Sequence, residues 1–186
     1  MVSVQSSPGL VIGITGLMGS GKTTAAEYLA AEHGFSHIRY SHVLADWFKE
    51  DPEQKSELQV VGWDVMSGGL QAELNKRLIA KLSPGKDWVV EGLRHRLDHD
   101  SLKNAFASSF HLVYIDSPQQ ARWLRLQKLS RFRTFEEFLL ADAHPVEQQI
   151  PALKWLAELC IAGGDPLQQL YDPLSKFVAL LRKGNQ

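Results

Sequence analysis

A single cysteine, Cys160, stands in 186 residues. That excludes an intramolecular disulfide and leaves no thiolate pair for a structural zinc. With no recognisable signal segment, a reducing cytoplasm is the expected location. No membrane span is expected either: the longest early apolar run, Leu10 to Ile14, is far short of the roughly 20 residues such a span needs, and reads as a buried strand. Charge of one sign is also missing, since 20 basic residues face 21 acidic ones for a net charge of −1. Duplex nucleic acid selects a basic footprint that this chain lacks, although a local cluster can still hold a small phosphate ligand. Repeats, low-complexity tracts and long linkers are absent, as are a Ser-His-Asp elbow and a metalloprotease motif.

What is present suits one globular domain with a sizeable core, at 44% hydrophobic and 22% charged residues. Residues 1–9, polar and Ser-rich, read as a flexible leader, and residues 10–186 as a single domain. Leu10 to Thr15 has strand character, and Thr24 to Ala31 has strong helix propensity with a stop at Gly34. Phe35 to Tyr40 is a second extended piece, with Ser41 as the expected N-cap of a helix over residues 43–49. Between Glu53 and Leu82 the apolar spacing predicts helices interrupted at Gly68-Gly69. Trp88 to Glu91 and His111 to Asp116 are short apolar strands, each ending in an acid. A helix is expected over residues 98–107, and Ser117-Pro118 reads as the N-cap and first-turn proline of the next. Further helices are expected over residues 135–143 and 147–159, then a minimal strand at Cys160 to Ala162. A terminal helix opened by Asp165-Pro166 should be kinked or split by Pro173.

Strands alternating with helices predict right-handed βαβ units, hence a three-layer α/β/α fold around a five-stranded parallel sheet. In such sheets ligands sit beyond the carboxyl ends of the strands. At the end of the first strand stands Gly16-Leu17-Met18-Gly19-Ser20-Gly21-Lys22-Thr23, which fits G-x-x-x-x-G-K-[ST] in the strand–loop–helix context its mechanism requires. Glycines at 16, 19 and 21 allow successive N–H groups to point inward as an anion cradle, which Ser20 and Thr24 complete at the helix start. The helix N-terminus adds roughly half a positive charge. Lys22 can then bridge the β- and γ-phosphates of ATP, while the Thr23 hydroxyl ligates Mg²⁺.

Magnesium is usually held through one or two carboxylates, so a second acid is expected. Glu91, at a strand end and followed by Gly92, is the first choice, and Asp116 the alternative. The bland readings are an N-cap or a salt bridge to Arg94 or Arg96 for Glu91, and ordinary helix-start chemistry for Asp116.

Gly16 to Thr23, Glu91-Gly92-Leu93-Arg94 and the arginine-rich helix after Asp116 together resemble the nucleoside monophosphate kinase group of P-loop proteins. The dephospho-CoA kinase-like and deoxynucleoside monophosphate kinase-like branches are the most similar. The resemblance implies that Glu91 serves magnesium and Arg94 the acceptor's phosphate. It also implies that Ser41, His42 and Asp46 frame an acceptor site within about 41–82. A helical lid at about 122–135, with Arg122, Arg125, Arg131 and Arg133, is expected to close over the donor phosphates and exclude water. Lys22, Arg94, Arg125 and Arg131 are thus the expected catalytic cations. The segment from Phe135 to Glu147, with Asp142 and Glu147, is similar to the one after the lid in the dephospho-CoA kinase-like branch. Two departures stand out: residues 61–74 offer no arginine toward the acceptor phosphate, and Ala162-Gly163-Gly164 stands where relatives place a polar residue near the donor base.

The implied reaction is Mg-dependent phosphoryl transfer from ATP to a small acceptor, a nucleoside or deoxynucleoside monophosphate first. Dephospho-CoA is the runner-up, and a nucleotide-binding switch or ATPase is the reading from another class. Monomer and homodimer both remain open. His95 and His99, four apart, could share a helix face as zinc ligands do, but no third ligand accompanies them. The five tryptophans are scattered through amphipathic segments and read as packing residues, Trp63 least so because glycines surround it.

Overall fold

A computed structural model describes residues 9–52, 54–164 and 166–184. The expected leader at 1–8, and Glu53 and Asp165 at the starts of two expected helical stretches, lie outside the described residues. Strand β1 (Val11–Thr15) runs into the glycine-rich loop and helix α1 (Lys22–His33), which stops at Gly34 in the left-handed region. Next come β2 (Ser36–Arg39), α2 (Tyr40–Phe48), α3 (Lys55–Ser67) and α4 (Gln71–Ile79). β3 (Trp88–Leu93), α5 (Arg96–Phe106) and β4 (Phe110–Asp116) follow. The chain then forms α6 (Gln119–Lys128), α7 (Phe135–Asp142), α8 (Pro145–Gln148), α9 (Ile150–Leu153), β5 (Leu159–Ala162) and α10 (Gln168–Gly184).

The five strands pair in the order β2-β3-β1-β4-β5, all parallel, as alternation of strand and helix requires. β1 is central, with Val11 beside both Trp88 and Phe110. The period of two sends its side chains to opposite faces. Val11 joins the apolar layer under α2, α3, α4 and α5, whereas Ile12 and Ile14 join the layer under α1 and α10. A third, smaller cluster of Met18, Trp123, Leu126 and Phe138 packs α6 and α7 against the phosphate loop. No helix among the described residues is long and apolar enough to cross a membrane.

Several local expectations change. β3 continues past Glu91 to Leu93, because Gly92, at φ 93°, steps out of register: Ile14 pairs with Glu91 and Thr15 with Leu93. Only glycine takes that conformation without strain, and the step sets Glu91 at the mouth of the sheet. Ser41 lies inside α2, whose first residue is Tyr40 and which has no side-chain cap. His95, rather than a residue nearer 98, caps α5 through a reciprocal box with Asp98. Pro118 takes the N-cap place of α6, because the Ser117 hydroxyl is occupied in donating to the Gly163 carbonyl. The helix expected over 147–159 is broken into α8, α9 and a 3-10 turn at Lys154–Leu156, with Pro151 at a helix start where its missing N–H costs nothing. Pro173 sits inside one helix, α10, and does not split it.

Candidate functional site

The loop between β1 and α1 curls back on itself, with Gly16 at φ 144° and Gly21 at φ 108°. A Cβ on Gly16 would stand 2.4 Å from the Ile115 carbonyl oxygen and 2.7 Å from Ser20 Oγ, so this position admits no side chain. Ser20 Oγ is itself buried and without a hydrogen-bond partner. Lys22 opens α1 and folds over the loop, donating from Nζ to the carbonyls of Gly16 (2.7 Å) and Leu17 (2.8 Å). Burial draws its ammonium down to about 8 from an ordinary 10.5; Glu147 opposes that shift, while the cations Arg94 and Arg131 add to it.

One residue further, the Thr23 hydroxyl donates to Glu91 Oε1 at 2.6 Å. Glu91 also meets His37 Nε2 at 3.0 Å and Arg39 Nε at 3.1 Å through Oε2. Burial works against ionisation of Glu91, but the hydrogen bonds from His37 and Thr23 and the charges of Arg39 and Lys22 prevail and hold the carboxyl at about 2. The Thr23 hydroxyl at the start of α1 and the Glu91 carboxylate in β3 are in contact and form a pair of hard oxygen donors that fits magnesium. Asp116 takes no part, since it pairs with Lys154 on the exposed end of β4.

Arg39, Arg94, Arg125 and Arg131 line, with Lys22, Thr23, Thr24, Gly19 and Gly21, one open cavity above the loop. Arg125 donates to the Gly19 carbonyl (2.8 Å), Ser117 Oγ (3.0 Å) and the Gly163 carbonyl (2.9 Å), which ties α6 to the loop and to the end of β5. Arg94 donates to Glu147 Oε1, while Glu147 Oε2 is buried without a hydrogen-bond partner. The structure corrects the lid arginines. Arg122 is buried in a pair with Asp142 on α7, with Nη1 2.5 Å from Oδ1, and also donates to the Met18 carbonyl at 3.1 Å. It fastens α6 to α7 and to the loop and reaches neither cavity. Arg133 likewise lies outside the cavity lining, its backbone N–H donating to Glu137.

A second, smaller cavity opens beside the first and shares Ser41, Gly92, Arg94 and Arg131 with it. Its walls are apolar: Leu44 from α2, Leu58 and Met66 from α3, Leu74 from α4 and Val146 from α8. Gly62 faces it from the middle of α3, where a Cβ would lie 3.6 Å from Leu44 and 3.9 Å from Val146. At its floor Gln71 Nε2 donates to Asp98 Oδ1 at 2.5 Å, and Asp98 Oδ2 accepts from the N–H groups of Arg94 and His95. Burial outweighs these hydrogen bonds and lifts the Asp98 carboxyl above its usual range.

Of the acceptor-side residues expected from sequence, Ser41 and Arg94 line this space, and His42 and Asp46 do not. Asp46 pairs with Lys81 on the exposed side of α2 (2.9 Å), because a helix that turns Ser41 and Leu44 toward the cavity turns Asp46 away. His42 is exposed and stands 3.5 Å from Arg39. His95 and His99 form no zinc site: one caps α5, the other meets Asp100, and no cluster of three metal-ligating residues exists among the described residues. Trp63 makes an edge contact with His144. Cys160 is exposed on β5.

Arg39, Gln71, Gly62 and the role of Glu147 beside Arg94 escaped sequence reading. Arg39 had a usable signal, since it is the residue with which β2 ends. Gln71 and Gly62 had none, because only packing turns them to one cavity.

The fold recurs in solved structures. The chain superposes on a gluconokinase from Sinorhizobium meliloti with a TM-score of 0.63 at 15% identity, covering 97% of this chain and 99% of that one. It superposes on a shikimate kinase from Acinetobacter baumannii with a TM-score of 0.57 at 16% identity, covering 97% and 96%. In sequence it is 28% identical over 169 residues to a UPF0200 protein of Aeropyrum pernix, across 87% of this chain and 88% of that protein. The family model for the AAA domain matches residues 12–134, from the first buried strand through the phosphate loop and Glu91 to the end of the arginine-bearing α6 segment, and the chain belongs to that family.

Proposed function

We propose that this chain is a small-molecule kinase that transfers the γ-phosphoryl group of ATP to a nucleoside or deoxynucleoside monophosphate. The observation that carries the reading is the union of two unlike cavities. A charged one over the phosphate loop meets an apolar one across a mouth that holds Arg94 and Arg131. A monophosphate matches this layout, with its anion at the two arginines and its flat base between Leu44, Leu58, Met66 and Leu74. The solved structures named as gluconokinase and shikimate kinase support the coarser part, phosphoryl transfer to a small acceptor.

Phosphoryl transfer passes through a loose transition state whose charge spreads over the phosphoryl oxygens, so alignment and charge neutralisation do most of the work. In the proposed roles, the loop N–H groups from Gly16 to Thr24 hold the β-phosphate, and Lys22 leaves the Gly16 and Leu17 carbonyls to reach the γ-phosphate. Thr23 and Glu91 would hold magnesium, which supplies charge neutralisation at the β- and γ-phosphate oxygens. Arg125 and Arg131 approach from the α6 side and Arg94 from β3, so that donor and acceptor oxygens face each other between fixed cations. Residues 122–135 would act as the lid, and their Trp123 and Leu126, packed with Met18 and Phe138, would help to keep water from the reacting group.

The test is transfer of label from γ-labelled ATP to a panel of nucleoside and deoxynucleoside monophosphates, dephospho-CoA and sugar acids. A labelled diphosphate is the expected product. Label found only as inorganic phosphate would favour the switch or ATPase reading instead, and labelled CoA would move the acceptor to the runner-up.

A further inference from the structure

Arg39 bridges the two groups assigned to the metal, beside His37, which meets the same Glu91 oxygen at 3.0 Å. Arg39 Nε lies 3.1 Å from Glu91 Oε2, and its Nη2 donates to Thr23 Oγ1 at 3.1 Å. The side chain is 23% exposed and that of Glu91 6%, so the pair is screened from solvent on the carboxylate side and open on the cavity side. Arg39 also lines the charged cavity itself. A guanidinium presents several donors in a rigid fork and never deprotonates. It therefore satisfies the same oxygens that a divalent ion would take.

We propose that Arg39 is a built-in counter-cation of the Thr23–Glu91 pair, which a divalent metal must displace to bind. Arg39 touches both groups at once, Thr23 Oγ1 and Glu91 Oε2, so an ion of charge +2 seated against the same pair meets the guanidinium's repulsion at close range, and binding one weakens the other. The consequence is a site that holds metal weakly by itself and fills when a nucleotide brings further oxygen ligands and negative charge with the ion. Arg39 then turns to the cavity it already lines, where residues 61–74 provide no arginine. The inference rests on the assignment of Thr23 and Glu91 to the metal and is independent of the acceptor's identity.

Manganese is the probe, titrated into the full chain without nucleotide while free Mn²⁺ is counted by electron paramagnetic resonance. Arg39→Ala is expected to bind Mn²⁺ about tenfold more tightly than the wild type, the equivalent of roughly 1.4 kcal/mol. Arg39→Lys, which keeps a charge but loses the fork, should fall between them. The gain should vanish in the Arg39→Ala, Glu91→Gln double variant. Equal or weaker Mn²⁺ binding by Arg39→Ala overturns the inference, as does a gain that survives Glu91→Gln or an absence of Mn²⁺ binding in every variant. Calorimetric binding of ADP in EDTA, run in parallel, separates these failures from failure of the phosphate-loop reading, which alone predicts heat in that experiment. Thermal melts confirm that the variants fold, as expected for a partly exposed residue at the end of an edge strand.

Discussion

The two cavities that meet at Arg94 and Arg131 are built by opposite means. The charged one is formed over one continuous loop and helix start, with Glu91 and the arginines added around it, and its lining is dominated by glycines, hydroxyls and full charges. The apolar one is lined from seven segments between Tyr40 and Val146, with Gln71 and Asp98 at its floor and Arg94 and Arg131 at its mouth. A triphosphate is nearly the same object in every enzyme that uses it, so a short contiguous motif suffices to hold it. An acceptor differs from enzyme to enzyme, and its shape is met by side chains that tertiary packing brings together.

Substitutions in each cavity should therefore fail differently. The largest effect is expected for Lys22→Ala, a loss of about 10²–10³ in turnover with the melting transition retained; turnover at the wild-type rate would remove the central claim. Next comes Gly62→Leu, whose side chain enters the apolar cavity past Leu44 and Val146. It should raise the acceptor KM about tenfold or more, equivalent to roughly 1.4 kcal/mol, and leave ADP affinity unchanged in calorimetry. If ADP affinity fell equally, the two cavities would not be separable. Gly62→Ala tests the same position from the other side. Its Cβ meets only ordinary contacts, so it should stabilise α3 by about 0.5–1 kcal/mol in urea unfolding without altering acceptor KM.

pH sharpens the contrast further. The Lys22 ammonium titrates near 8 in the free chain, and bound phosphate raises that value. Binding then takes up a proton above pH 8, and ADP affinity should weaken as pH rises, by at most about tenfold per pH unit for one proton. Lys22→Met should bind weakly and show no such slope, while the apolar cavity, measured through the KM of the proposed acceptor corrected for nucleotide occupancy, should not contribute to it. At the acid end the sign reverses. Glu91 is held at about 2 against an ordinary 4.5, so the stability it contributes is present above pH 4.5 and lost as pH falls toward 2. Glu91→Gln should flatten that part of the acid unfolding curve, the smallest of these effects because other carboxylates titrate in the same range.

Much of the fold was legible because its signals are local. Five parallel strands follow from apolar runs separated by helical spacing, and Gly34 stops α1 where a left-handed residue is needed. The misses also have local causes. Ser117-Pro118 carries the composition of a helix start, yet the Ser117 hydroxyl serves Gly163 across 46 residues of chain. Arg122 and Arg125 look alike on one helix, but three residues and about 300° of helical rotation send one into a buried pair with Asp142 and the other toward Gly19.

The sequence by itself determined the phosphate loop, the parallel sheet and the presence of an acid, Glu91, in the third strand, because each depends on residues within a few positions of one another. Only the tertiary structure decided that Arg39 rests on Glu91, that Asp46 faces away, and that Gly62, Gln71 and Val146 share a cavity. Those relations join segments far apart in the chain. Their distances are set by how helices pack on the sheet, which no local spacing encodes.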